Sequence, residues 1–259
     1  MVKNKLYNFR TLKKHPKNNV QQNNACLKLN GLTIFNKQTK QYVLQNVGLE
    51  IKNQQVIYLV GPNGIGKSLF LKTIAGVIKD LDEQDIFDIS GHIFFNKKNI
   101  TKASASKRAI MGIFYVWQTP PAIPELKVID YFLALGATKK QVNDLLKLVG
   151  LPLDILQKPL NLDMSGGQIK RLEVISLLIL KPKLLLLDEL DSGLDVKSEK
   201  LLFFNVLNNY IKENKACAIV VSHNLRIKKY LQPSEVYKLE DYKLKGPYLA
   251  DWLNTYEAV

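Results

Sequence analysis

The feature of this sequence that most constrains its fold is a glycine-rich segment at residues 61–68, which reads G-P-N-G-I-G-K-S. A continuous apolar run precedes the segment at 56–60, and apolar residues at helical spacing follow it over 67–78. A strand, a loop of the form G-x-x-x-x-G-K-[ST] and a helix, in that order, are typical of a loop that binds phosphate groups. The sequence therefore predicts a strand, a phosphate-binding loop and a helix within an α/β fold.

The residue types of this loop suit a nucleotide phosphate chain. Glycines let the backbone curl so that successive amides face phosphate oxygens, and the start of the helix adds its positive dipole. Lys67 can reach the β- and γ-phosphates, and the Ser68 hydroxyl can ligate Mg²⁺. The expected nucleotide contacts come from Gly61, Pro62, Asn63, Gly64, Ile65, Gly66, Lys67, Ser68 and Leu69.

A second apolar run, the leucines at 184–187, ends in Asp188 and Glu189. A run this uniformly apolar is typical of a central parallel strand. At its carboxyl end Asp188 is placed to hold a magnesium ion, and Glu189 is placed to polarise an attacking water. Apolar strands often end in an acidic residue that has no catalytic role, so this interpretation depends on the phosphate-binding loop upstream.

The rest of the chain shows strand-like and helix-like patterns in alternation. Residues 25–36 and 42–51 have the two-residue period of half-buried strands and predict an antiparallel β layer. Further strands are predicted at 91–95, 113–117, 216–221 and 235–239, and further helices at 106–111, 166–180 and 196–210, with a short helix after the last strand. Alternation of this kind predicts a parallel sheet that is covered by helices.

A stretch of different composition separates the phosphate loop from the leucine strand. Pro120, Pro121 and Pro124 predict an extended, irregular connection, and residues 128–160 carry interrupted helical spacing. We expect a helical subdomain at about 119–181. The predicted fold class is therefore α/β, with a parallel sheet core that carries the phosphate loop, an N-terminal antiparallel β layer and an inserted helical subdomain.

Composition narrows the classes of protein further. Of the 259 residues 46% are hydrophobic, yet no run reaches the roughly 18 apolar residues of a membrane-spanning helix.

The formal net charge is +14, but nine of the Lys and Arg residues precede Glu50, the first acidic residue. We interpret 1–24 as a flexible basic arm and 25–259 as the folded domain. Basic tails are common, so we do not expect nucleic-acid binding, and a divergent targeting segment is an alternative for the arm.

The two cysteines, Cys26 and Cys217, lie far apart in the sequence with no Cys or His spaced nearby as metal ligands. Neither a disulfide framework nor a zinc site is predicted. Two such cysteines do not suit an iron–sulfur cluster of the chain's own either.

Four further motifs accompany the phosphate-binding loop and the acidic strand. Residues 164–168 read M-S-G-G-Q before a predicted helix, which Ser165 can cap while the Gly166 and Gly167 amides face an anion. Gln118 follows a predicted strand, D-S-G-L-D occupies 191–195, and His223 follows a buried strand. In order with the phosphate loop and the acidic strand, these motifs resemble those of the ABC-type ATPase family over about residues 25–240.

The resemblance implies an ATPase that uses ATP and Mg²⁺ and works as a transient head-to-tail homodimer. The implied catalytic residues are Glu189, His223 and Gln118. The implied metal ligands are Ser68, Gln118 and Asp188. The implied contacts to the nucleotide of the other copy come from the signature residues Ser165, Gly166, Gly167 and Gln168, with Asp195 coupling the two sites.

The sequence departs from the family pattern at Ile65, Leu69, Met164 and Leu190. None of these departures removes a phosphate, metal or water contact.

In the family, an aromatic residue that precedes the loop in the sequence normally stacks on adenine, and both Phe35 and Tyr42 are in range. The sequence does not decide between them, and core or edge-strand packing is the alternative role for each.

Several segments are similar to the ATPase subunits of the Suf iron–sulfur cluster assembly machinery: residues 108–124, D-E-x-D-S-G-L-D at 188–195, and 225–236. That resemblance implies SufB- and SufD-like scaffold partners, a coupling surface around 118–126, no membrane insertion, and a bacterial cytoplasm or a plastid stroma as the compartment. The alternative is the soluble ATP-binding subunit of a membrane transporter. Gln168 favours the alternative, because Suf ATPases usually carry Glu there.

Overall fold

Strands and helices alternate along the chain after two long N-terminal strands, in a computed structural model that describes residues 25–79 and 85–256. The predicted basic arm at 1–24 lies outside the described residues. The strands are β1 (Ala25–Asn36), β2 (Gln41–Lys52), β3 (Val56–Val60), β4 (Phe87–Phe95), β5 (Lys98–Asn99), β6 (Ile113–Val116), β7 (Ile123–Lys127), β8 (Pro159–Leu160), β9 (Leu184–Asp188), β10 (Cys217–Val221), β11 (Glu235–Glu240) and β12 (Lys243–Tyr248). The α-helices are α1 (Lys67–Ala75), α2 (Ala105–Ile110), α3 (Val128–Ala134), α4 (Lys139–Val149), α5 (Gly166–Leu180), α6 (Val196–Glu199), α7 (Asn209–Asn214) and α8 (Trp252–Tyr256).

The core is a six-stranded sheet in the order β12-β11-β3-β10-β9-β6. All of its neighbouring pairs are parallel except β11 and β12. Every residue of β3, β9 and β10 is buried, as expected for strands covered on both faces. The predicted α/β fold class with a parallel core is confirmed.

A separate four-stranded sheet, β2-β1-β4-β5, forms the predicted antiparallel layer. Side chains of β1 and α1 pack against Ile57, Leu186 and Ile219 on one face of the parallel sheet. The other face, which includes Tyr58, Leu187 and Val220, packs against α5 and the helical run from α6 through a π-helical stretch (Lys200–Asn208) to α7. The layers of the fold are therefore antiparallel sheet with α1, parallel sheet, and helices.

The register of the parallel strands brings their carboxyl ends to one edge. Val221 of β10 pairs with Asp188 of β9, and Val220 pairs with Tyr58 of β3. The residues that follow these strands, which include the glycine loop, Glu189 and His223, consequently meet at this edge. In open α/β sheets this edge is where ligands bind.

The segment between β6 and β9 differs partly from the prediction. Residues 123–127 form β7, which pairs with β8, so Pro124 lies in a short strand rather than in an irregular connection. Proline has no N–H to donate and is therefore confined to edge strands. Both strands of the two-stranded sheet β7-β8 are edge strands, so Pro124 is tolerated in β7. Helices α3, α4 and α5 lie within 119–181, and the division of the chain into an arm and a domain with a helical subdomain stays a prediction.

Two further differences concern β4 and β12. The strand predicted at 91–95 is longer, because β4 pairs with β1 along 87–95. Strand β12 was not predicted, since its sequence K-L-K-G-P-Y contains the turn formers Gly246 and Pro247.

Within residues 25–79 and 85–256, no helix has the length and apolar character needed to cross a bilayer.

Arg108 of α2 is a buried cation that fastens the helix after the glycine loop. The side chain is 1% exposed, and its Nη1 donates hydrogen bonds of 2.8 Å to the carbonyls of Thr73 and Ile74 in the last turn of α1. Its Nε and Nη2 donate to the carbonyls of Ala103 and Thr101 at 3.0 Å. Arg108 therefore caps the C-terminus of α1, which is the negative end of the helix dipole.

Candidate nucleotide-binding and catalytic site

The glycine loop lies between β3 and α1 and has a backbone that only glycine tolerates at two positions. Gly66 has φ 107°, and a Cβ there would come within 2.4 Å of Val43 Cγ1. A Cβ on Gly61 would come within 2.7 Å of the Leu239 carbonyl oxygen. The loop is thus packed against β2 and β11 from behind, which leaves its amides and the start of α1 facing outward.

Lys67 is held at the mouth of this loop. Its ammonium donates hydrogen bonds of 2.7 Å to the Gly61 carbonyl and 2.9 Å to the Pro62 carbonyl. Burial lowers the pKa of Lys67, and the carboxylates of Glu189 and Asp188 act in the opposite direction. Both partners are neutral loop carbonyls, so the charge of Lys67 is available to an anion bound over the loop.

Ser68 and Asp188 bring two oxygen donors together. Ser68 Oγ donates a 3.0 Å hydrogen bond to Asp188 Oδ1, and the Tyr115 hydroxyl donates one of 2.7 Å to Asp188 Oδ2. Burial raises the pKa of Asp188, and these two hydrogen bonds oppose that rise. A hydroxyl and a carboxylate at this distance are hard oxygen ligands, so the pair fits Mg²⁺.

Sequence reasoning missed Tyr115, although a signal for it existed. A tyrosine in a predicted core strand needs a hydrogen-bond partner for its hydroxyl. The partner here is the carboxylate that ends the adjacent strand, because β6 and β9 are neighbours in the sheet.

Glu189 lies between two polar side chains. Gln118 Nε2 donates a 2.7 Å hydrogen bond to Glu189 Oε2, and His223 Nε2 lies 3.1 Å from Glu189 Oε1. The backbone of Glu189 has φ 50°, and its N–H donates to the Val221 carbonyl at 2.9 Å. A non-glycine residue in this left-handed conformation is strained, and such strain is concentrated at functional sites.

The glycine loop, Gln118, Glu189 and His223 line one cleft of about 390 Å³. Its walls are formed by Asn63, Gly64, Gly66, Lys67, Ser68, Leu69, Gln118, Glu189 and His223. The structure thus brings the predicted phosphate, metal and water-orienting residues together from four separate parts of the sequence. The cleft combines a cation, helix-start amides, the Glu189 carboxylate and the Ser68 hydroxyl, and the buried Asp188 accepts a hydrogen bond from Ser68 behind the cleft wall. This set is suited to phosphoryl transfer.

The predicted signature residues lie elsewhere. Ser165 caps α5, with its Oγ accepting from the Gln168 N–H at 3.3 Å and its N–H donating to Gln168 Oε1 at 2.9 Å. Among the described residues that line the cleft, none belongs to this segment. Ser165 and Gly166 are exposed, so the N-terminus of α5 is open to a ligand or a second chain.

Asp195 has a local structural role and is also exposed. It caps α6 by accepting hydrogen bonds from the N–H and the Oγ of Ser198 at 2.8 and 2.9 Å. These hydrogen bonds lower the pKa of Asp195. A Cβ on Gly167 would lie 3.3 Å from the carbonyl oxygen of Gly193, so the D-S-G-L-D segment and the start of α5 form one continuous surface.

The two aromatic residues considered for adenine stacking contact each other. Phe35 and Tyr42 pair across β1 and β2, with ring centroids 5.1 Å apart in an edge-to-face arrangement. Tyr42 is 41% exposed, and its neighbour Val43 contacts Gly66 of the loop. Phe35 lies near the end of β1 and Tyr42 at the start of β2, and the choice between them stays open.

Comparison with known proteins agrees with this geometry. Residues 44–192 match the ABC transporter family. The protein named probable ATP-dependent transporter SufC from Escherichia coli (strain K12) is 32% identical over 213 residues, which cover 76% of this chain and 82% of that protein. The iron-sulfur cluster assembly protein SufC from Plasmodium berghei (strain Anka) is 31% identical over 240 residues, covering 84% of this chain and 62% of that protein.

The fold is similar to that of a solved ATP-binding cassette. A dimeric structure of the cassette MJ0796, in a post-hydrolysis state bound to ADP and Pi, has a TM-score of 0.72 and 23% sequence identity, and covers 86% of this chain and 98% of that chain. The family match spans more than half of the chain, and it includes the phosphate loop and the acidic strand. The chain therefore belongs to the ABC transporter family and is an ATPase that binds ATP.

Proposed function

We propose that this chain is the ATP-hydrolysing motor subunit of a Suf-type iron–sulfur cluster assembly complex. The observation that carries the motor part is the position of Glu189, whose carboxylate is held by Gln118 and His223 at the edge of the phosphate-loop cleft. The observation that favours the Suf part is the similarity over most of the chain to proteins named SufC, one of which is named for iron–sulfur cluster assembly.

In the proposed reaction the loop amides and Lys67 bind the phosphate groups of ATP, and Glu189 orients the attacking water. Gln118 and His223 fix the direction of the Glu189 carboxylate through its two oxygens. Ser68, Asp188 and the side-chain oxygen of Gln118 would hold Mg²⁺, which supplies positive charge that neutralises the phosphates when it is bound.

A second copy of the chain is proposed to complete the site. Ser165, Gly166, Gly167 and Gln168 are exposed or half-buried at the start of α5 and lie outside the cleft formed by their own chain. A head-to-tail pair would place this helix start against the nucleotide bound to the other copy, where its dipole favours an anion. Asp195 belongs to the same surface and would couple the two sites. MJ0796, the cassette of similar fold, is described as a dimer.

The proposed partner surface is the segment that follows Gln118. Ile123 is 39% exposed, and Pro121 and Pro124 beside it are exposed. Pairing with β8 and a 3.0 Å hydrogen bond from Asn161 to the Pro121 carbonyl hold the segment in place, which reduces the entropy lost on docking. Leu126 packs partly against the core, so Ile123 is the better anchor for SufB- and SufD-like scaffold subunits.

Co-purification tests this assignment. Expressed with soluble SufB- and SufD-like subunits, the chain should form a complex without detergent. Ile123→Asp should weaken the complex, whereas Ile110→Asp, at a site 88% exposed on α2, should not. A bacterial cytoplasm or a plastid stroma is the proposed compartment.

The alternative function is the ATP-binding subunit of a membrane transporter, which Gln168 at the end of the signature favours. Co-purification only with integral membrane proteins would contradict the Suf assignment and support the transporter. The catalytic residues would be the same in both cases.

A further inference from the structure

We propose that Glu173, together with Lys170, is a positioning residue that fixes the backbone of the segment carrying Gln118. Both residues lie on α5, and they hold the backbone polar groups of Trp117 and Gln118 just after β6 ends. The inference rests on the proposed role of Gln118 at Glu189. It goes further by assigning a task to a buried ion pair that none of the nucleotide motifs contains.

The contacts form a clamp on three successive peptide units, through backbone groups of Trp117 and Gln118. The Trp117 N–H donates a 2.9 Å hydrogen bond to Glu173 Oε1. Lys170 Nζ donates to the Trp117 carbonyl and, at 3.1 Å, to the Gln118 carbonyl. Lys170 Nζ also lies 3.4 Å from Glu173 Oε2, so the two side chains support each other.

These contacts replace the hydrogen bonds that the sheet no longer supplies. Strand β6 ends at Val116, and its ladder with β9 ends there as well. The next N–H and carbonyl groups would lack partners at a half-buried position, where an unsatisfied backbone group costs free energy. Lys170 and Glu173 satisfy them from an adjacent helix, so the start of the Gln118 segment has one defined position.

The burial of the pair argues that it has a specific task. The side chains of Lys170 and Glu173 are only 4% and 12% exposed. Desolvation of a buried ion pair often costs more than its attraction returns, so apolar residues at the same positions are often equally stable or more stable. Packing alone would not require a carboxylate at position 173 of α5. A carboxylate is explained if its task is to accept the hydrogen bond from the Trp117 N–H.

The clamp acts at short range on the water-orienting carboxylate. Gln118 is the residue clamped through its carbonyl, and its side chain donates the 2.7 Å hydrogen bond to Glu189. A shift of the Trp117–Gln118 peptide therefore moves the Gln118 amide relative to Glu189, and a small misplacement of a positioning group is costly for turnover. The phosphate contacts of Lys67 and the loop are on other elements and are not expected to change.

The test measures steady-state ATP hydrolysis by the full chain and four variants. Glu173→Met removes the acceptor, Glu173→Gln keeps an acceptor oxygen, Gln118→Ala removes the group acted upon, and Ser176→Ala is a control on the buried face of the same helix. We expect Glu173→Met and Gln118→Ala each to lower kcat by about tenfold, with KM for ATP changed by less than about threefold. Glu173→Gln should keep at least about a third of the kcat, and Ser176→Ala should match the parent chain.

A double variant and a spectroscopic signature distinguish positioning from general damage. Gln118→Ala combined with Glu173→Met should be no more than about twofold slower than either single variant, because both remove the same interaction. The chain has two tryptophans, so Trp252→Phe leaves Trp117 as the reporter. In that background Glu173→Met should increase acrylamide quenching of Trp117, and Ser176→Ala should leave it unchanged.

Each other outcome overturns the inference. If Gln118→Ala slows hydrolysis and Glu173→Met does not, the clamp has no role, although the proposed function of Gln118 stands. If Gln118→Ala has no effect, the role of Gln118 fails and the positioning argument fails with it. If Glu173→Met does not fold, Lys170→Met is measured in its place, and a normal kcat with unchanged Trp117 quenching contradicts the clamp.

Discussion

Gln118 and Glu189 are 71 residues apart in sequence, yet Gln118 Nε2 donates a 2.7 Å hydrogen bond to Glu189 Oε2. Glu189 directly follows β9, and Gln118 lies two residues after the end of β6. Strands β6 and β9 are neighbours in the sheet. The sheet therefore places an amide donor and a carboxylate at the same edge, beside the phosphate loop.

Glu189→Gln should preserve ATP binding and lower turnover by at least about tenfold, because the amide cannot accept a proton from water. Single-turnover hydrolysis and nucleotide binding, measured on the same preparation, separate the two effects. Glu213→Gln on α7, outside the cleft, is the control. Turnover equal to that of the parent chain would remove Glu189 from the proposed role.

Lys67→Ala should weaken ATP binding itself by about tenfold or more, because it deletes a charge-assisted contact to the phosphates. Titration with a fluorescent ATP analogue measures the Kd. Lys72→Ala changes a lysine on the same helix, outside the cleft-lining residues, and serves as the matched control. An unchanged Kd in Lys67→Ala would contradict the assignment of the loop.

Arg108→Met should lower the free energy of unfolding by about 3 kcal/mol, because the carbonyls of Thr73 and Ile74 lose buried donors. Urea unfolding followed by circular dichroism gives this value. Lys107→Met, at an exposed neighbouring position, should cost far less. Equal losses in the two variants would show that Arg108 does not cap α1.

Stability should fall with rising pH in a window set by Glu173. Burial raises the pKa of Glu173 from 4.5 to about 7, and Lys170 opposes that rise. Between these two pH values the folded chain keeps a proton that the unfolded chain has released, so the free energy of unfolding decreases as pH increases. Below pH 4.5 and above pH 7 the contribution of Glu173 is constant.

Glu173→Gln removes this titration. Relative to the variant, the parent chain should lose at most about 3 kcal/mol of stability between pH 4.5 and pH 8. Other buried carboxylates titrate in both chains, so the difference between the two pH profiles isolates Glu173. Parallel profiles across this window would show that its pKa is not raised.

The sequence was sufficient for elements whose signal is local. The glycine loop and the apolar runs of β3 and β9 were predicted within a residue or two, since continuous burial and a phosphate loop each leave a characteristic pattern. The N-cap role of Ser165 followed from its place before an apolar helix.

What the sequence could not predict depends on contacts between distant segments. The partner of Arg108 is the last turn of α1, which no local pattern around Arg108 reveals. Tyr115 and Glu173 likewise gain their roles only when β6, β9 and α5 are adjacent. Strands β7 and β12 contain proline, and only pairing with β8 and β11 makes them strands.

The most direct test of the proposed function is ATP hydrolysis by the purified chain, alone and with soluble SufB- and SufD-like subunits. We expect the scaffold subunits to raise the rate several-fold by pairing two copies of the chain, and expect Ile123→Asp to abolish this stimulation while leaving the rate of the chain alone unchanged. Ile110→Asp should be stimulated like the parent chain. A rate that does not respond to the scaffold subunits would contradict the Suf assignment and favour a membrane partner.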